Sequence, residues 1–174
     1  MKKIFIIGLS AVLVLTSVFF SGSVSTAAAK ETKILDFDTM IGVPRPYTGA
    51  ANAIRGVAGG GLPWIVAAAK GELKSNGELE IKVKGLLIDP NDAAAIAAGR
   101  AGTNPSPTFK AIVSCLSVDA NGDPITVNVS TGLFPADANG NAKIEETVSL
   151  PMPCIAPIVF VTNPGGAWFA ATGF

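Results

Sequence analysis

The 174-residue chain carries 13 basic and 13 acidic residues, a formal net charge of zero, and no histidine. Without histidine, the usual Ser-His-Asp triads, the usual zinc sites and the commonest general base are excluded. Without a basic stripe to neutralise phosphates, nucleic acid is excluded as a partner.

The chain opens Met1-Lys2-Lys3, continues as an apolar run from Ile4 to Phe20, and then turns small and polar up to Thr26-Ala27-Ala28-Ala29. A basic start, an apolar middle and an A-x-A site in that order predict a secretory signal over residues 1–29. A membrane anchor is the competing reading. The run falls short of the roughly 20 apolar residues of a span, and Gly8, Ser10, Thr16 and Ser17 interrupt it. Residues 30–174 then form a single exported domain of about −2 net charge, with no membrane insertion after signal removal. Its two cysteines, Cys115 and Cys154, allow one intramolecular pairing, and a pair in an exported chain is expected to be a disulfide.

Along the mature chain, short strands alternate with Gly, Pro and Asn turns. Ile34–Met40 is the first predicted strand, and it places Asp36 and Asp38 on one face. A solvated edge is the plainer reading of that pair; a cation clamp or carboxylate dyad is the sharper one. Arg45, Tyr47, Arg55 and Trp64 then surround a Gly-rich stretch, Gly56 to Gly61. It lacks the Lys-Ser/Thr of a P-loop and the spacing of a dinucleotide fingerprint, so it reads as a flexible connection and no cofactor is expected. Because Arg and Tyr suit binding surfaces, these four residues mark the expected recognition segment.

Trp64–Lys74 and Glu78–Ile88 read as a hairpin. Leu79, Ile81 and Val83 alternate with Glu78, Glu80, Lys82 and Lys84, which gives one dry and one wet face. A two-residue loop would mix those faces. A three-residue loop, Ser75-Asn76-Gly77, sets Leu73 opposite Leu79, Lys74 opposite Glu78, Glu72 opposite Glu80 and Lys70 opposite Lys82. Asn91–Ala98 is the one helical candidate, capped by Asn91 or Asp92 and ended by Gly99, inside a crossover that continues to Pro107. Phe109–Val118, Ile125–Val129, Ala142–Leu150, Ile155–Thr162 and Ala167–Thr172 complete the strands. Ile158 to Val161 is apolar throughout, the mark of a central strand covered on both faces.

Asp119-Ala120-Asn121-Gly122-Asp123 and Asp137-Ala138-Asn139-Gly140-Asn141 place oxygen-bearing side chains at alternate positions, as calcium loops do, but no Glu closes either loop. Hairpin turns are the expected reading. Glu146 shares parity with Ile144, Val148 and Leu150. A bulge that re-aims it is expected in preference to a buried carboxylate.

The segments Asn52–Gly56, Gly59–Trp64, Phe109–Cys115, Leu150–Val161 and Trp168–Phe174 resemble a group of uncharacterised secreted bacterial proteins with a small disulfide-containing β domain. The resemblance covers most of the mature chain. It implies export, a β domain and one disulfide; it implies no activity, and no catalytic residue follows from it.

These readings predict an all-β fold: an antiparallel β-sandwich, immunoglobulin-like or jelly-roll, of about eight or nine strands with one short helix possible in a crossover loop. The expected role is that of a secreted, non-catalytic extracellular or cell-envelope protein. It would act as a surface binding or structural module toward an envelope polysaccharide or protein, without metal or cofactor. A hydrolase using carboxylates alone is one alternative, favoured by a cleft holding two carboxylates. A calcium-stabilised adhesin-like module is another, favoured by metal-dependent melting.

Overall fold

The period-two alternation of apolar and charged residues builds one face of the molecule directly. The computed structural model describes residues 31–172; the predicted signal over residues 1–29 lies outside them. In chain order the elements are β1 (Lys33–Phe37), β2 (Ile41–Gly42), β3 (Trp64–Ile65), β4 (Ala68–Lys74), β5 (Glu78–Lys84), β6 (Leu87–Ile88), α1 (Ala93–Ala97), β7 (Thr108–Val118), β8 (Pro124–Ser130), β9 (Phe134–Pro135), β10 (Ala142–Thr147), β11 (Ile155–Thr162) and β12 (Trp168–Ala171). One sheet runs β1-β4-β5-β10 and a second runs β2-β12-β11-β7-β8, with β9 also on β7. All the strand pairings are antiparallel. The protein is an all-β sandwich.

The hairpin β4–β5 has the face-matched register, with Leu73 opposite Leu79, Glu72 opposite Glu80 and Lys70 opposite Lys82. Gly77 takes a φ of 89°, which supplies the left-handed residue of a three-residue loop. Like charges therefore face each other across the whole sheet: Asp36, Glu72, Glu80 and Glu145 lie in one row, and Lys70, Lys82 and Lys143 in the next. Such rows are unfavourable taken alone. Neighbours of opposite sign offset them, as Lys33 lies 2.8 Å from Glu72, Lys74 2.7 Å from Glu78 and Lys82 3.0 Å from Glu80. Lys143 pairs with Glu145 in the same way.

Beneath this face lie Leu73, Leu79, Ile81 and Ile144, each at most 1% exposed, and the second sheet supplies Phe109, Val113, Val159 and Val161 at 0%. Phe160 and Trp168 are buried on the far side of that second sheet, with ring centroids 6.0 Å apart. The segment from Val43 to Gly61 covers them: Trp168 N–H donates to Ala58 O (2.9 Å) and Gly60 N–H to Trp168 O (2.8 Å). β11 is thus a central strand covered on both faces.

Cys115 on β7 and Cys154 just before β11 form a disulfide. It ties two strands that are already hydrogen-bonded neighbours, and a disulfide is compatible with an oxidising, extracellular location.

Several expectations need correction: there are twelve strands among the described residues, not eight or nine, and Ala142–Leu150 ends at Thr147. Trp64–Lys74 and Glu78–Ile88 are not continuous strands. Each breaks, and their outer pieces β3 and β6 pair with each other as a separate ribbon. Gly85 breaks the second with a φ of 61°. Ile34–Met40 likewise ends at Phe37, and the chain then crosses to the other sheet as β2. The bulge expected at Glu146 is absent, since β10 pairs with β5 residue for residue and sets Glu146 opposite Leu79. Glu146 keeps its inward parity but sits on an edge strand, exposed, where it accepts the Gly132 N–H at 2.8 Å.

Candidate functional site

The stretch from Val43 to Gly61 is tightly held. Ile54 and Val57 exchange backbone hydrogen bonds of 3.0 and 2.9 Å around Arg55-Gly56, whose φ values are 49° and 79°. This is a two-residue turn with both central residues left-handed, an unusual state for an arginine. Its guanidinium holds it there, donating from Nη1 to Ser114 O (2.9 Å) and Ala156 O (2.8 Å), while Asn128 Nδ2 donates to Arg55 O (3.0 Å). Arg55 pins the segment to the second sheet.

The Gly-rich stretch is close-packed where a flexible connection was expected, because glycine lets backbones touch. A Cβ on Gly59 would lie 2.0 Å from the Tyr47 carbonyl oxygen, and one on Gly60 3.0 Å from the Phe169 ring. Gly59→Ala should therefore destabilise by about 1–3 kcal/mol, since the clash is with backbone and no side chain can move aside. Thermal melting of the variant checks it; an unchanged midpoint would contradict the close approach.

Arg45 is also held internally. Its Nε and Nη2 donate to the two carboxylate oxygens of Asp92 at 3.0 and 3.1 Å. Asp92 is the N-cap of α1 and accepts the Ala95 N–H at 2.9 Å. The other end of α1 closes as a Schellman motif. Gly99 has a φ of 64°, its N–H donates to Ile96 O (3.0 Å), and the Arg100 N–H donates to Ala95 O (2.9 Å). The chain Arg45, Asp92, α1 and Gly99 thus fixes where Arg100 emerges.

Arg100 emerges at a cleft of about 440 Å³, within the range of small-molecule sites. Trp64 and Phe169, each 5% exposed, stack with centroids 3.7 Å apart. Together with Ile88, the partner of Trp64 on β6, they form the buried base. Pro105, Pro107 and Pro164 are exposed lining residues, as is Arg100, whose guanidinium has no partner among the described residues. Asn163 also lines the cleft; its Oδ1 accepts the Ala167 N–H at 3.0 Å, and its NH₂ group has no hydrogen-bond partner among the described residues. Among the described residues, no carboxylate lines this cleft.

Of the four residues expected to recognise a partner, Trp64 therefore lies in the cleft. Arg45 and Arg55 have internal partners. Tyr47 is 41% exposed on the covering segment. Sequence reading missed Arg100, Asn163 and the Pro105–Pro107 stretch, which are distant from Trp64 along the chain. Gly99 after an Ala-rich run was the one local signal that pointed at Arg100.

A second depression of about 300 Å³ lies on the charged face, lined by Asp36, Asp38, Glu72, Glu80, Lys70 and Lys82. Gly71 and Phe37 lie between these charged residues, packed so closely that a Cβ on Gly71 would lie 2.3 Å from the Glu80 carbonyl oxygen and 2.7 Å from the Phe37 ring. The Lys82 ammonium, hydrogen-bonded to Glu80, keeps that carboxyl below its usual range, and Lys74 does the same for Glu78. A general acid needs the opposite displacement.

The two Asp-x-Asn-Gly loops are hairpin turns. Asp119 Oδ1 accepts the N–H groups of Asn121 and Asp123 at 2.8 and 2.9 Å. Asp137 Oδ1 accepts those of Asn139 and Asn141 at 2.9 and 2.8 Å. Backbone amides lower both carboxyls, and the Arg45 guanidinium lowers Asp92. Stability from these groups is complete above the ordinary carboxylate range, about pH 4, and is lost as pH falls through their depressed values. Lys33, Lys74 and Lys143 are raised by hydrogen bonds to Glu72, Glu78 and Glu145, so their contribution is lost only in strong alkali. With no histidine, the melting temperature should be flat from about pH 5 to 8 and fall below about pH 4. Calorimetry across that range checks it, and a step near pH 6.5 would contradict it.

No family model matches the sequence, and neither a curated protein nor a solved structure is significantly similar to it.

Proposed function

We propose that the protein is a secreted, non-catalytic module of the bacterial cell envelope that binds an envelope polysaccharide in the Trp64 cleft. The carrying observation is the composition of that cleft among the described residues: a stacked aromatic base, an arginine fork without a partner and an amide at the rim, and no carboxylate in its lining. The exposed prolines, with the small part of the ring pair that reaches the cleft, offer apolar contact to the C–H groups of a sugar, while a guanidinium and an amide hydrogen-bond its hydroxyl or carboxylate groups. Glycoside hydrolysis would need a pair of carboxyl groups flanking the bond, which favours binding over cleavage here. The signal-like N-terminus and the disulfide support export.

The test uses the double variant Arg100→Ala, Asn163→Ala, in which neither altered side chain holds a strand or helix end beyond the Asn163 turn. Binding to purified envelope polysaccharide should weaken about tenfold or more, with the melting temperature held within a few degrees. Undiminished binding would remove the cleft from the function.

A further inference from the structure

We propose that the protein self-associates through β8, two copies pairing β8 against β8 in antiparallel register about a two-fold axis at Val127. The observation behind this is an unprotected sheet edge whose sequence is self-complementary. β8 (Pro124–Ser130) ends its sheet, and among the described residues only β7 pairs with it. The other long edges are defended. β1 carries Lys33 and Asp36 and an irregular register, and β10 carries Lys143, Glu145 and Glu146. Charges and irregularities of that kind block edge-to-edge pairing. β8 reads Pro-Ile-Thr-Val-Asn-Val-Ser and has no charge at all.

The pairing with β7 fixes which backbone groups are free. The ladder is flanked by Asp119 N–H to Asp123 O (2.9 Å) at one end and Thr131 N–H to Ala111 O (3.0 Å) at the other. Between them the register is unbroken. Bonded and non-bonded pairs alternate in such a ladder. Ile125, Val127 and Val129 therefore turn their N–H and C=O groups toward β7, and Thr126, Asn128 and Ser130 turn theirs outward. The Asn128 side chain does not block the edge, because its amide is drawn back over the sheet to Arg55 O.

A second β8 laid antiparallel with Val127 on the axis sets Thr126 opposite Asn128 of the other copy, and these are the residues whose backbone groups point outward. They form a hydrogen-bonded pair on each side of the axis. Ser130 N–H meets Pro124 O, and Pro124, which has no N–H, ends the ladder. The same register sets Ile125 opposite Val129 and Val127 opposite Val127, so the exposed Ile125 and the half-covered Val127 and Val129 of each copy meet on the inner face. A shift by one residue would aim unpaired groups at groups already bonded to β7. The two-fold closes the assembly at two copies.

The test is molar mass by light scattering on the purified protein, together with residue-resolved amide exchange. The expected result is a dimer, with the amides of Thr126, Asn128 and Ser130 slowing about tenfold or more as concentration rises, and those of Ile125, Val127 and Val129 slow throughout. Thr126→Pro removes an outward N–H without touching the β7 ladder, and Val127→Lys opposes two ammonium groups on the axis. Both variants should be monomeric. A monomer persisting to about 1 mM, an assembly larger than a dimer, or free exchange at Thr126, Asn128 and Ser130 in a dimer would overturn the proposal. The exchange measurement decides on the unmodified protein even if a variant fails to fold.

Discussion

Replacing Cys115 and Cys154 together by alanine should lower stability by about 4 kcal/mol, the chain-entropy value for a loop near 40 residues. The bond joins residues 39 apart in sequence, and Cys115 is fully buried on the inner face of β7. Removing it frees the unfolded chain across the β8 hairpin, β9 and β10 at once. For a domain of this size the melting midpoint should drop by about 10–20 °C. A parallel comparison with and without reductant separates the cross-link from the lost side-chain packing: reduction alone should give most of the shift. A reduced protein that melts within about 3 °C of the oxidised one would contradict this.

Trp64→Ala should be comparably severe, at about 3–5 kcal/mol. Trp64 is 5% exposed, stacks on Phe169 at 3.7 Å, and meets Phe109 through the edge-on contact of Phe169 with that ring. Truncation leaves a void between the β3–β6 ribbon and β12 that Gly60, without a side chain, cannot fill. Total stabilities of single domains run about 5–15 kcal/mol, so the variant should stand near the edge of folding. Trp64→Phe keeps a ring in the stack and should cost about half as much or less. Denaturant titration of both variants checks the order. Equal losses for Phe and Ala would mean that the stack contributes little. Because Trp64 serves packing first, loss of binding in Trp64→Ala says nothing about the cleft, and the rim residues Arg100 and Asn163 are the informative positions.

How much of this was legible depended on whether the signal was local. The strict alternation Glu78 to Lys84 and the Asn76-Gly77 pair fixed a register that holds residue for residue. Asp92 and Gly99 bracketed the helix within a residue or so. The pairing of the only two cysteines followed from counting. The ribbon β3–β6 was not legible, because Trp64-Ile65 and Leu87-Ile88 continue the apolar pattern of the strands they leave; only Gly85 marks the break. Glu146 was misread because parity alone cannot tell a central strand from the open end of an edge strand. Arg55 reads as a surface group because nothing in the sequence says that an Arg-Gly turn will dock on the carbonyls of residues 59 and 101 positions away. The cleft itself joins β3, the end of α1, the approach to β7 and the β11–β12 turn, a juxtaposition made by tertiary structure alone.

Titration of the purified protein with envelope polysaccharide, followed by the Trp64 indole resonance and the Arg100 guanidinium resonances while released sugar is assayed in the same sample, tests the proposed role most directly. Saturable shifts confined to the cleft, with the polysaccharide chain length unchanged, are the predicted result. Shortening of the chain that is lost in Glu80→Gln would contradict it, because the carboxylate face would then be doing chemistry.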